Sequence, residues 1–454
     1  MRTRTVQLLA APVVAGTLAA AGLIFFHPLS RAGARPAATG GACAGAAGVT
    51  GTHGGTAGAA GACADIGGTS DTATAAGASA ARRTARNVIF INGDGMGAAA
   101  REAARLYYAG PRGTLTMDGF PASGRLTTSP DDPAKIVTDS AAGASAWSTG
   151  VATYNGAISV GPDGDPLPAL GVQAKQSGRA TGLVTTAQVT DATPAAFFAN
   201  AKDRAAQDDI ARQYLEKSKP DVILGGGEDW WLPAGKPGVH RDKPAEDPEE
   251  GSRGTKGDLI AQARQNGYQY VSTRAQLNAA KPGKLLGLFA NEEMFQQNPE
   301  GKGDVYRPSV DLATMTRKAL DTLSRDADGF FLLVEEEAVD EFAHDDNGRR
   351  VLQAMGELEK AVAVAKAFAV DHPDTLVVVT GDHETGGLAI EDYPGGDGPF
   401  PVKGTELKFW IDWTTKGHTG QSVPVTAFGP GSERFNGQHP NTYVHEVLQP
   451  LVVN

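Results

Sequence analysis

Short apolar runs that end abruptly in Gly, Asp or His recur along this 454-residue chain, and they constrain its fold more than any other feature. The first run, 87–91, is followed by Gly93-Asp94-Gly95 and then by a helical stretch over 98–108. Further strand-like runs lie at 182–186, 222–224, 329–334, 376–379 and 423–428, and helical stretches lie at 208–217, 311–325 and 349–368. Such alternation is typical of a sheet covered on both faces. The sequence therefore predicts an α/β fold, a three-layer αβα sandwich with a large, mostly parallel central sheet.

The first 36 residues have the layout of a secretory signal peptide. Arg2 and Arg4 precede an apolar run over 8–26, and small residues follow that run. The run is also long enough to cross a membrane, so an uncleaved N-terminal anchor stays an alternative. Either interpretation predicts a secreted or cell-surface protein.

Residues 37–85 differ in composition from the rest of the chain. They are rich in Ala, Gly and Thr and hold no Phe, Tyr or Trp, so they bury too little apolar surface to offset the entropy of ordering. We expect a disordered linker, in which Cys43 and Cys63 could pair in an oxidising compartment. The remainder, 86–454, is predicted to be one catalytic domain with edge insertions near 228–284 and 394–403.

The charge and cysteine content exclude several classes of protein. The chain has 41 Lys and Arg against 52 Asp and Glu, a formal net charge of −11, whereas a general nucleic-acid binder has a basic surplus. Two cysteines are too few for a disulfide-built scaffold, a Cys-rich zinc module or an iron–sulfur protein.

Carboxylate and imidazole side chains collect at the ends of the predicted strands. They are Asp94, Glu335, Glu336, Glu337, Asp340, His344, Asp382, His383 and His418. Because ligands of such sheets gather at the carboxyl ends of the strands, these groups are expected to converge. Mixed imidazole and carboxylate ligation suits zinc, and all-oxygen ligation suits magnesium. The pattern predicts a metal cluster held by Asp, Glu and His without Cys.

Ser140 opens a run of small, helix-compatible residues after Thr138 and Asp139, and two interpretations fit it. Serine is a preferred N-cap residue, and from this segment alone a capping role is the more common one. The free N–H groups of a helix N-terminus also attract phosphate, and a nearby metal would make the serine hydroxyl a nucleophile.

Six motifs together resemble those of the alkaline phosphatases and occur in the same order. They are Gly93-Asp94-Gly95-Met96-Gly97, Asp139-Ser140-Ala141-Ala142-Gly143, Asp191-Ala192-Thr193-Pro194, Glu335 through Asp340 to His344, Gly381-Asp382-His383-Glu384-Thr385-Gly386-Gly387 and Gly417-His418-Thr419. The resemblance extends over about 87–452. It implies the alkaline-phosphatase-like fold and a metal-dependent phosphomonoesterase with a serine nucleophile.

The resemblance also implies two zinc ions and one magnesium ion with particular ligands. These are Asp340, His344 and His418 for the first zinc; Asp94, Asp382 and His383 for the second zinc; and Asp94, Thr193 and Glu335 for the magnesium, with Asp191 behind them through waters. Ser140 would be the nucleophile that becomes a phosphoserine. Arg204 would clamp two phosphate oxygens with its planar fork.

Three residues depart from the family pattern. Asn92 stands at a usually apolar position and would bond the backbone there, while Glu336 stands where the family usually has Gly. Glu341 follows Asp340, where relatives often carry Lys, His or Trp. If Glu336 and Glu341 face the magnesium and phosphate sites, phosphate binds more weakly than usual and the third metal need not be magnesium.

Two other functions remain open on the sequence. One is a phosphodiesterase or sulfatase on the same fold, and the other is a non-catalytic surface protein that binds phosphate or metal. The expected partners are small phosphate monoesters, with no nucleic-acid-specific binding and with membrane contact only through an uncleaved N-terminus. The resemblance also suggests a homodimer, although no residue here marks an interface.

Overall fold

Fifteen strands and eleven helices are defined in the computed structural model, which describes residues 84–242, 251–298 and 301–453. The expected signal peptide or anchor, nearly all of the expected linker and both cysteines lie outside those ranges. The strands are β1 Asn87–Gly93, β2 Ala122–Thr127, β3 Ala180–Gln188, β4 Val222–Gly226, β5 Gln269–Val271, β6 Leu285–Leu288, β7 Phe330–Glu336, β8 Thr375–Thr380, β9 Glu384–Thr385, β10 Ala389–Glu391, β11 Asp397–Pro401, β12 Lys408–Asp412, β13 His418–Thr419, β14 Val423–Phe428 and β15 Gly437–Pro440. The helices are α1 Ala98–Tyr108, α2 Ser140–Thr149, α3 Leu170–Gln176, α4 Ala192–Phe198, α5 Gln207–Gln213, α6 Leu259–Gln265, α7 Arg274–Ala279, α8 Leu312–Leu323, α9 Ala338–His344, α10 Gly348–Asp371 and α11 Tyr443–Val452.

The central sheet has ten strands in the order β15-β2-β14-β8-β1-β7-β3-β4-β6-β5. Neighbouring strands are parallel except at β14, which runs antiparallel to both β8 and β2. Two small sheets, β10-β12-β11 and β13-β9, lie outside it. The predicted α/β fold with a mostly parallel sheet is confirmed.

Alternating side chains of the central strands pack into two separate cores, one on each face of the sheet. In β1, Val88 and Phe90 belong to the core that includes α2, α3, α4 and α11, and the Phe90 ring lies edge-on to Trp147 at 5.0 Å. Ile89 and Ile91 belong to the opposite core, which includes α1, α8 and α10. Both faces of β1 are fully buried, which explains its continuous apolar sequence.

Several elements that the sequence pattern missed have little continuous apolar sequence, although the fully buried β6 was missed as well. Strand β2 is buried at only two of its six positions, and the edge strand β5 at one of three. The 228–284 range contains α6, β5 and α7, and the 394–403 range contains β11 of the three-stranded sheet. The helix predicted at 208–217 is divided into α5 and a π-helical turn at Tyr214–Ser218.

Strand register brings four polar residues side by side at the carboxyl edge of the sheet. Asn92 pairs in register with Glu335 of β7 and Thr380 of β8, and Glu335 pairs with Thr185 of β3. Residues in register on neighbouring parallel strands point to the same face. The ends of β1, β3, β7 and β8 therefore form the floor of the candidate site.

None of the helices in the described ranges is long and apolar enough to cross a membrane.

Candidate active site

A tight turn after β1 places Asp94 at the centre of the site. Its backbone N–H donates to the Glu336 carbonyl at 3.0 Å, and the N–H of Gly95 donates to Asp382 Oδ1 at 3.1 Å. Gly95 has φ +65°, and a Cβ there would lie 2.6 Å from Asp340 Oδ1. Only glycine fits, because the conformation is left-handed and two carboxylates approach the backbone closely.

The first cluster joins Asp340 to two imidazoles. His344 Nε2 lies 3.2 Å from Asp340 Oδ2, and His418 Nε2 lies 3.6 Å from Asp340 Oδ1. The other ring nitrogen of each histidine bonds a backbone carbonyl: His344 Nδ1 contacts Lys416 O, and His418 Nδ1 lies 2.9 Å from Thr138 O. Because a carbonyl only accepts, these bonds fix the tautomer of both rings with Nδ1 protonated.

The two free imidazole nitrogens of this cluster face each other. His344 Nε2 and His418 Nε2 are 3.1 Å apart, so two neutral rings would point their lone pairs at one another. A shared cation removes that repulsion. Burial lowers the pKa of His344, but the hydrogen bond to Asp340 outweighs it and raises the pKa to about 9. The cluster thus attracts positive charge, as a proton or as a metal ion.

The second cluster is formed by Asp94, Asp382 and His383, none of which is exposed. His383 Nε2 lies 3.2 Å from Asp382 Oδ2 and 3.5 Å from Asp94 Oδ1. Neither Asp94 oxygen has a hydrogen-bond partner in the part of the chain that the structure describes. Burial, followed by repulsion from Asp382, raises the pKa of Asp94 well above its usual value. Unpaired buried carboxylates are costly, and a bound metal ion is the usual compensation.

Ser140 is the first residue of α2 and points into the second cluster. Its Oγ lies 3.3 Å from His383 Nε2, and the residue is only 4% exposed. The N-cap is Asp139, whose Oδ1 accepts from the Ala142 N–H at 2.9 Å. The capping interpretation of Ser140 is therefore wrong. Asp139 occupies the cap, and the serine hydroxyl is directed to the cluster instead.

Arg204 is held beside this serine turn by two carboxylates. Its Nη2 lies 2.9 Å from Asp191 Oδ1, and its Nη1 lies 3.7 Å from Asp139 Oδ2. Asp139 Oδ2 also accepts from the Gly156 N–H at 2.9 Å, and the Arg204 N–H donates to the Gly156 carbonyl at 2.8 Å. One aspartate therefore positions both the start of α2 and the guanidinium.

A third group of oxygen donors surrounds Glu335. Thr185 Oγ1 donates to Glu335 Oε2 at 2.7 Å, and Thr193 also hydrogen-bonds this carboxylate. Asn92 Nδ2 donates to Glu335 Oε1 at 3.2 Å and to Thr193 Oγ1 at 3.4 Å. The expectation that Asn92 bonds the backbone is wrong, because its position in register with Glu335 directs the amide to these side chains.

The run of three glutamates splits across the sheet. Glu336 Oε1 accepts from Thr186 Oγ1 at 2.8 Å, and Oε2 accepts from Tyr306 at 2.6 Å, on the face opposite Glu335. The hypothesis that Glu336 faces the metals is therefore wrong, since successive residues of β7 alternate in direction. Glu337 lies beyond the strand, and one of its carboxylate oxygens groups with those of Asp94 and Glu335. The sequence pattern placed Glu337 among the converging carboxylates but gave it no ligand role.

Glu341 is partly buried in the first turn of α9. Burial, followed by repulsion from Asp340 and Glu293, raises its pKa to about 8. Asp191 and His344 also act on its charge. The extra carboxylate therefore lies next to Asp340 of the first cluster.

A buried carboxylate–imidazole centre thus lies at the carboxyl edge of this α/β sheet, and its groups of donors could hold metal ions. The sequence model of the alkaline phosphatase family matches residues 85–407. A streptomycin-6-phosphate phosphatase of Streptomyces griseus is 38% identical, over 82% of this chain and 92% of that protein. Alkaline phosphatase 3 of Bacillus subtilis is 33% identical, over 79% of this chain and 87% of that protein.

Solved structures show the same similarity. The cold-active alkaline phosphatase of a psychrophilic Shewanella superposes with a TM-score of 0.67 at 30% identity, over 81% of this chain and 99% of that chain. A mutant alkaline phosphatase of the Antarctic bacterium TAB5, with magnesium bound in its M3 site, gives 0.65 at 28% identity, over 82% of this chain and 99% of that chain. This chain belongs to the alkaline phosphatase family. It is a hydrolase of phosphate monoesters.

Proposed function

We propose that this chain is a secreted alkaline phosphatase that hydrolyses phosphate monoesters through a phosphoserine at Ser140, with two zinc ions and one magnesium ion in its site. The observation that carries the proposal is the position of Ser140. Its hydroxyl lies 3.3 Å from His383 at the start of a ten-residue helix, and Arg204 lies 3.7 Å from Asp139, the residue before it. Phosphoryl transfer needs such positioning and charge neutralisation more than it needs covalent chemistry from several side chains.

The donor sets fit the proposed metals. Asp340, His344 and His418 offer imidazole and carboxylate ligands, as do Asp94, Asp382 and His383, and such mixed sets suit zinc. The group around Glu335 offers only oxygen, which suits magnesium. When bound, these ions would favour the ionised Ser140 hydroxyl and offset the charge of the reacting phosphate.

The residues of the chain carry two displacements in sequence. Ser140 gives its hydroxyl proton to water and its Oγ attacks phosphorus. The Oγ–P bond forms, and the ester P–O bond breaks as the leaving alkoxide takes up a proton from water. Water then attacks the phosphoserine, the Oγ–P bond breaks, and inorganic phosphate and the free hydroxyl result. The Arg204 fork and those N–H groups at the start of α2 that do not bond Asp139 hold the non-bridging phosphate oxygens throughout.

The test compares hydrolysis of a chromogenic phosphate monoester with that of the matching diester and sulfate ester at alkaline pH. Wild type, Ser140→Ala and the distant control Ser177→Ala are run in parallel, with zinc and magnesium supplied. We expect rapid monoester hydrolysis that is lost in Ser140→Ala and kept in Ser177→Ala. Preference for the diester or the sulfate would instead support one of the sister functions, and no turnover with metals bound would support a binding protein.

The physiological substrate and the location need separate tests. Streptomycin 6-phosphate belongs among the monoesters assayed, because a relative with 38% identity is a phosphatase of that compound. We propose export because of the signal-like layout of 1–36, followed by a linker and a catalytic domain over 86–454. Activity in the culture medium or at the cell surface, lost when 1–36 is deleted, is the expected result. Activity that stays inside intact cells would contradict export.

A further inference from the structure

We propose that Glu337 is a direct ligand of the third cation, so that three carboxylates rather than two hold it. Glu337 follows β7 directly and is the residue before α9. One oxygen each of Asp94, Glu335 and Glu337 lies within 4.8 Å of the others, close enough to share one ion. The inference rests on the proposed function, because it takes the third cation as given.

The burial of the three carboxylates supports ligation over a solvated cluster of charges. Asp94 and Glu335 are fully buried, and Glu337 is 3% exposed. Both oxygens of Asp94 are buried without a hydrogen-bond partner among the described residues. A cation stabilises such a group, and one oxygen each of Glu335 and Glu337 lies within 4.8 Å of an Asp94 oxygen.

The charged groups near Glu337 are mostly carboxylates. Glu335, Asp191, Glu341 and Asp340 all act on its carboxylate as negative charges. The Arg204 guanidinium also interacts electrostatically with Glu337. That guanidinium is already paired with Asp191 and Asp139. A carboxylate buried among four others takes up a proton unless a positive ion offsets their repulsion, so a cation here would keep Glu337 ionised.

Glu336 provides a matched control one residue away. It is also a fully buried glutamate, but it faces the opposite core, where Thr186 and Tyr306 satisfy its two oxygens. Replacement by Gln removes one charge from each side chain with little change in volume. Only the change at Glu337 removes charge from the proposed third-cation ligands.

The experiment measures Mg²⁺ binding by calorimetry to protein already loaded with two equivalents of zinc, and counts bound metals by elemental analysis. We expect Glu337→Gln to raise the Mg²⁺ dissociation constant at least about tenfold, because loss of even a group that only supports a ligand costs about 10- to 100-fold. Glu336→Gln should stay within about twofold of wild type. Thermal melting of the zinc-loaded variants confirms that each is folded.

Glu337→Asp separates direct ligation from attraction at a distance. It keeps the charge but shortens the side chain by one methylene, so a direct ligand loses its bond and Mg²⁺ affinity stays weak. If Glu337→Asp binds Mg²⁺ like wild type, or if Glu337→Gln does, the inference is wrong while the proposed function stands. A wild type that binds no zinc or magnesium would contradict the proposed function itself.

Discussion

Replacement of Arg204 by Lys tests whether the guanidinium fork binds the phosphate. The substitution keeps the positive charge beside Asp191 and Asp139, which lie 2.9 and 3.7 Å from the guanidinium, but it replaces two parallel donors by a single ammonium. A hydrogen bond to a charged group contributes about 1.5–3 kcal/mol. Loss of one such bond lowers affinity by roughly 10- to 150-fold, since about 1.4 kcal/mol is a factor of ten.

The assay is the inhibition constant of inorganic phosphate, measured together with kcat/KM for a chromogenic monoester. In Arg204→Lys the inhibition constant should rise and kcat/KM should fall, each by roughly 10- to 150-fold. Arg212→Lys is the control, because Arg212 also pairs with two carboxylates, Asp209 and Glu216, in α5 and the turn after it. A change of less than about threefold in the phosphate inhibition constant of Arg204→Lys would refute the clamp, because one charged hydrogen bond is worth more.

Three further predictions concern the metals, the packing of the first turn and Glu341. Chelation should abolish activity and lower the melting temperature, because an ion at about 1,000 times its dissociation constant stabilises the fold by about 4 kcal/mol. Unchanged activity in excess chelator would contradict the metal site. Gly97→Ala should lower the free energy of unfolding by about 1–3 kcal/mol, because its Cβ would overlap Glu384 Cγ. In the control Gly119→Ala the new Cβ meets no atom within 4 Å, so this variant should melt like wild type. Equal melting temperatures of the two variants would contradict this packing. Glu341→Lys should lower the phosphate inhibition constant by at least about fivefold, because reversing a nearby unit charge changes the binding free energy of the anion by about 1 kcal/mol or more. An unchanged inhibition constant would show that Glu341 does not influence the phosphate site.

Five inner strands of the central sheet, β1, β3, β4, β7 and β8, were predictable because they are buried on both faces. The runs ending at Gly93, Glu336 and Thr380 read as continuous apolar sequence, and the side chains that follow them reach one edge by topology alone. Strand β2 is half exposed and pairs with β14 from a distant part of the chain, so its own sequence carries a weak signal.

The glutamate run shows what the sequence left undetermined. Side chains alternate along β7, so Phe331, Leu333 and Glu335 point to one face and Glu336 points to the other. The direction of Glu336 could therefore be predicted from the sequence. The direction of Glu337 was not, because the strand ends before it and no period applies.

The start of α2 shows a different limit. Asp139 and Ser140 are both good N-cap residues, and the sequence does not decide which of them takes the cap. Asp139 takes the cap because its carboxylate accepts from the N–H of Ala142 in α2 and from the N–H of Gly156. Gly156 lies in a loop 17 residues further along the chain. Ser140 is thereby left free to face His383.

The central claim, a phosphoserine at Ser140, is tested most directly by trapping the intermediate. Zinc-loaded protein is mixed with a phosphate monoester, quenched in acid within one turnover, digested and analysed by mass spectrometry. We expect phosphate on the peptide that contains Ser140 and none on the corresponding peptide from Ser140→Ala. Rapid monoester hydrolysis with no phosphorylated Ser140 at any quench time or pH, or equal turnover by Ser140→Ala, would contradict it.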